Sequence, residues 1–196
     1  MWKFIVLICL LLILSISLSA QASVKEKSQS GLKPKAAKKG NFADSMVSLE
    51  RSECYGACPI YKVKVFGDGR LIYEGTKYVK IEGKITDKVT SEQFQALMAE
   101  FRKARYFTLR NSYEDWKDGC ITWRTDASSA ITSIRINKRK KSVSHYRGCS
   151  SGSNKFNREL QRLSKLEDKI DEIIKIHQWI GTEEERKNIP YLRITN

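Results

Sequence analysis

The chain has 196 residues, a formal net charge of +14 at pH 7, 41% hydrophobic residues and five cysteines. That length suits one ordinary domain with a single core. No glycine-rich nucleotide loop, complete metal-ligand set or catalytic constellation can be read from it, so it leans away from an enzyme, and no cofactor is implied.

Met1-Trp2-Lys3 is a short positive start, and Phe4 to Leu14 is an unbroken apolar run. Ala20-Gln21-Ala22 supplies the small-x-small pattern of a cleavage site, so residues 1–22 read as a signal peptide. At about 15 residues the run is short for a spanning helix, which needs ~20. The expectation is an exported protein, periplasmic or extracellular. Residues 23–40 hold six lysines and one acid, Glu26, with little to bury. Residues 23–44 are therefore expected to be a disordered basic tether, 45–181 the domain, and 182–196 a tail.

Met46 to Arg51 alternates apolar with polar, the period of a strand. A Cys54-to-Pro59 loop interrupts it, and the alternation resumes through Tyr61, Val63 and Val65. Gly67-Asp68-Gly69 between two alternating runs predicts a hairpin. Residues 78–89 suggest a further strand pair around Gly83. The period then changes: Phe94, Leu97, Met98 and Phe101 share a helical face, with Thr90 and Gln93 placed as a capping box. After a polar stretch at 110–120, a second β region is expected from Ile121, turning at Asn137–Lys140 and returning over Ser142–Tyr146. Phe156 to Ile174 then predicts a helix of about seven turns, capped by Asn154 and stopped at Gly181. The fold class is α+β: an antiparallel sheet of hairpins packed with two amphipathic helices.

Loss of the signal peptide removes Cys9 and leaves Cys54, Cys58, Cys120 and Cys149. In an exported chain an even set reads as two disulfides. Of the three connectivities, local closeness favours Cys54 with Cys58. Cys120 with Cys149 would tie the ends of the second β region. A thiol-redox or copper-handling role for Cys54-x-x-x-Cys58-Pro59 is the alternative. Against it, the redox spacing is two and a helix should follow the motif. Copper would also need an imidazole, and His145 and His177 are the two available.

Cys54-Tyr55-Gly56-Ala57-Cys58-Pro59-Ile60-Tyr61, then Phe66-Gly67-Asp68-Gly69 and Tyr73-Glu74-Gly75, resembles the exported bacterial domains of unknown function called DUF6438. Looser matches continue to Trp179, and Lys155-Phe156-Asn157 stands where many relatives carry a proline. The resemblance implies no reaction, ligand or catalytic residue.

Tyr55, Tyr61, Asp126 and His145 remain as surface candidates. Arg135, Lys138, Arg139, Lys140 and Lys141 cluster at one hairpin. Charge alone would allow nucleic acid, but an exported chain meets anionic headgroups and envelope polymers more often. The expected role is a non-enzymatic binding module of the cell envelope, with an unknown protein or envelope polymer as partner and weak contact with anionic surfaces.

Overall fold

The computed structural model describes residues 42–187. The expected signal peptide, the tether as far as residue 41 and the tail from residue 188 lie outside the described residues. Strands β1 (Met46–Arg51), β2 (Ile60–Phe66), β3 (Arg70–Lys77) and β4 (Gly83–Lys88) come first, then helix α1 (Ser91–Lys103) and a 3-10 turn at Tyr106–Thr108. Strands β5 (Ser112–Tyr113), β6 (Thr122–Trp123), β7 (Ser129–Ile136), β8 (Arg139–Tyr146) and β9 (Cys149–Ser150) follow. Helices α2 (Asn154–Ile173), α3 (His177–Ile180) and α4 (Glu183–Lys187) end the described chain.

The main sheet runs β4-β3-β2-β1-β7-β8-β5, and β6 pairs with β9 in a separate ribbon. Every pairing in the main sheet is antiparallel except β5 with β8, which is parallel. The architecture is α+β, as the periodicity predicts. Alternation decides which face the helices cover. Val47 and Leu49, Val63 and Val65, Leu71 and Tyr73, and Ile134 and Val143 are buried on one side. Their neighbours along the strands point to the other, which no helix among the described residues covers. Burying each such side chain contributes about 1.5–3 kcal/mol, enough to fix the strand register, because a one-residue slip would turn the whole set outward.

Both long helices lie on this buried face. Thr90 and Gln93 form the capping box of α1, and the Gln93 Nε2 also donates to the Ile173 carbonyl at 2.8 Å, satisfying one free carbonyl at the end of α2. The Gly67–Gly69 hairpin forms as expected; Gly69 has φ +90°, which a side chain would resist.

Four expectations are corrected. Residues 78–89 give one strand, β4, because the chain before Gly83 is a turn. The second β region begins at Ser129 in the main sheet, since Thr122–Trp123 pairs with β9 instead. Asn137, at φ +54°, allows a two-residue turn, so β8 begins at Arg139. Ser153, not Asn154, caps α2, and the helix stops after Ile173 rather than at Gly181. Lys175 takes φ +55° there and ends the helix. Apolar spacing continues through Ile176 and Trp179 into the separate α3, which is why the period alone overran the break.

Candidate functional site

The strands set one end of the main sheet apart. The β1–β2 connection, the segment from β5 to β7 and the segment from β8 to α2 all emerge at the edge marked by Arg51, Ala130 and Tyr146. Two disulfides brace these loops, Cys54–Cys58 and Cys120–Cys149, in the expected pairing. They differ in setting: Cys120 and Cys149 are buried, whereas Cys54 and Cys58 are half-buried. Backbone bonds complete the bracing. Tyr55 N donates to Asp126 O at 3.3 Å, Ile121 N to Ser150 O at 3.0 Å and Arg124 N to Gly148 O at 2.9 Å. A side chain at Gly148 would strike that Arg124 carbonyl, 2.3 Å from an ideal Cβ, so the β8–β9 turn requires glycine.

Large apolar side chains stand out from this frame. Tyr55 is 87% exposed, Trp116 68%, Ile121 66% and Trp123 50%. Glu53, Glu114, Asp115, Asp118 and Asp126 lie on the same loops, against Lys117, Arg124 and Arg147. These loops themselves thus carry five acids against three bases, on a strongly basic protein.

Directly beneath lies a polar row across the sheet. Tyr61 of β2, Arg51 of β1, Ala130 of β7, His145 of β8 and Tyr113 of β5 are successive cross-strand neighbours. Carboxylates of α2 meet them. Arg51 Nη2 donates to Asp171 Oδ2 at 2.8 Å and the Tyr61 hydroxyl to Asp171 Oδ1 at 2.6 Å. His145 Nδ1 lies 2.9 Å from Glu167 Oε1, and the Tyr113 hydroxyl donates to Glu159 Oε2 at 3.0 Å. Arg147 reaches Asp168 through both terminal nitrogens at 3.1 Å.

Burial alone would lower the Arg51 guanidinium, but Asp171, Tyr61 and Glu167 outweigh it and hold it above its ordinary value. Burial pushes the Asp171 carboxyl up, opposed by Arg51 and Tyr61. Burial also raises the Tyr61 hydroxyl well above its usual range and pushes Tyr113 up to about 12, so both stay protonated and remain donors. Beside this row, an open groove of about 580 Å³ runs between β8–β9 and α2, lined by His145, Arg147, Asn157, Gln161, Ser164 and Lys165 among others.

A family model described as a domain of unknown function, DUF6438, matches residues 45–174. The chain belongs to the DUF6438 family. No curated protein matches it. In this DUF6438 domain the matched segment contains both disulfides, the exposed aromatic loops and the polar row, and it stops before Trp179.

The surface candidates separate. Tyr55 and Asp126 are exposed on adjoining loops, Asp126 with φ +69°. Tyr61 and His145 are only 2% exposed, a correction to their expected surface position. Their even spacing from Val63 and Val143 along the strands puts both on the core face. His177 is exposed. Cys54 and Cys58 are joined, and after Pro59 the chain enters β2 rather than a helix. Among the described residues no three His, Cys, Asp or Glu side chains are grouped to hold a metal ion.

Sequence reasoning missed Arg51, Glu167, Asp171 and the two exposed tryptophans. Glu167 and Asp171 had a signal: they lie four residues after Leu163 and Glu167 in turn, inside the apolar stripe of α2. Arg51 also continues the buried alternation of Val47 and Leu49. Nothing in the spacing of Trp116 or Trp123 marks them as exposed.

Proposed function

We propose that this DUF6438 protein is an exported interaction module of the cell envelope, binding rather than catalysing, with the disulfide-braced loop end as its recognition surface. The supporting observation is the exposure of Tyr55, Trp116, Ile121 and Trp123 on loops held by two disulfides and the β6–β9 ribbon. Exposed aromatics are unfavourable in water and characteristic of binding surfaces. Bracing reduces the ordering cost that flexible loops pay on binding. The small acidic excess of these loops offers polyanions no attraction. It favours a partner with apolar faces, such as the sugar rings of an envelope polymer or the side chains of a protein.

Co-sedimentation with isolated cell-wall polymer, and separately with the envelope protein fraction, tests the reading. The wild-type protein should bind one of the two and persist at high salt. The double variant Trp116→Ala with Trp123→Ala should lose at least tenfold in affinity while keeping its unfolding temperature. Binding that is equal in the two proteins, or absent from both fractions, would sink the proposal.

A further inference from the structure

The opposite end of the sheet carries a different surface. The β7–β8 turn brings Arg135, Lys138, Arg139, Lys140 and Lys141 together, and no ion pair joins any of them to a carboxylate among the described residues. Some basic side chains elsewhere are paired, as Lys62 is with Glu50, Arg70 with Asp68, Lys80 with Glu185 and Lys103 with Glu100. Around the turn lies a concave crease of about 790 Å³, lined by Phe107, Asn111, Lys138, Arg139, Lys140, Lys141 and Ser142, with no acid among them.

Two contacts order its lining. The Arg139 guanidinium lies 3.8 Å from the Phe107 ring centroid, and Lys141 Nζ donates to Asn111 Oδ1 at 2.7 Å. On the other side of the hairpin, Arg135 is the cross-strand neighbour of Lys140, and its Nε is buried without an acceptor among the described residues. Unpaired cations repel one another, so their accumulation costs stability unless an anion is present.

We propose that this crease docks the protein on an anionic phospholipid surface, its cations taking headgroup phosphates. The exposure of Lys138, Arg139 and Lys140 argues for an array of phosphates over one small anion, because the crease is open and lacks walls to enclose a single ligand. This docking is independent of the aromatic loops, which lie at the other end of the strands.

The test is flotation of the exported, full-length protein with vesicles of phosphatidylcholine alone or with phosphatidylglycerol. The six lysines of residues 23–40 could bind such vesicles themselves, so every protein in the comparison carries them as glutamine. The anionic vesicles should bind, the neutral ones should not, and half-molar salt should release the protein. Lys138→Gln, Arg139→Gln and Lys140→Gln together should lower partitioning about 100-fold, at roughly fivefold per cation. Equal partitioning of the parent and triple variant would overturn the proposal, as would equal binding to neutral vesicles. Saturable one-to-one binding of soluble triphosphate that blocks flotation would replace it with a small-anion site.

Discussion

The two ends of the main sheet are closed by different means. At the basic end, Gly67–Gly69 and Asn137–Lys138 reverse the chain within two or three residues, and the inner face beneath is apolar, with Leu71, Val65, Val47 and Ile134 side by side. At the loop end the connections are long, the inner face becomes the Tyr61–Arg51–Ala130–His145–Tyr113 row, and two disulfides replace turn geometry. A tight turn supplies its own order, whereas long loops with exposed aromatics bury too little to hold themselves. Covalent bonds and a buried ionic row supply what those loops lack, leaving their outer side chains exposed.

The largest expected effect comes from the ionic row. Asp171→Ala leaves Arg51 buried without its closest carboxylate and should cost about 3–5 kcal/mol in urea unfolding. Val47→Ala at the apolar end removes two methyls and should cost less, at ~0.8 kcal/mol per buried carbon plus a cavity cost. If Asp171→Ala costs no more than Val47→Ala, the row does not anchor α2, and the contrast between the ends fails.

The disulfides come next. Removing Cys120–Cys149 as a double serine variant should cost about 3.5 kcal/mol in the chain-entropy account, and removing Cys54–Cys58 about 2, because the closed loops differ in length. Burial adds a kinetic difference: under mild dithiothreitol, alkylation should label Cys54 and Cys58 first. Equal losses and equal labelling would show that the loop end is braced uniformly.

The smallest effect concerns acid, and each end contributes a carboxylate. Asp118 at the loop end is held below its usual value by the Ser112 hydroxyl, and Asp68 in the Gly67–Gly69 turn by the Arg70 backbone amide. A folded value below the unfolded one gives stability that is present above about pH 4 and lost as pH falls. Asp118→Asn and Asp68→Asn should each slightly reduce the drop in urea midpoint between pH 5 and pH 3. A steeper drop in either variant would contradict the assignment.

This contrast also explains what could be read in the sequence. The first three strands, the Gly67–Gly69 turn and the Thr90–Gln93 cap are local patterns, and these appear as expected. The pairing of Cys120 with Cys149 was legible because both flank one β region. The parallel β5–β8 pairing rests on two residues and leaves no periodic trace. Arg51 and Asp171 are 120 positions apart, so no local window holds both. The helix break at Lys175 was hidden because tertiary burial of Ile176 and Trp179 continues the apolar spacing past the last turn of α2.

Trp179 carries a consequence for how much of the chain the core requires. Its ring stacks on Tyr73 at 5.1 Å, and its carbonyl accepts the Ile81 amide at 2.9 Å, closing the core over the β3–β4 side of the sheet. The family match stops at residue 174, five positions earlier. Residues past the matched segment therefore help to close this core, and a fragment cut at residue 174 would leave the Tyr73 ring without that cover.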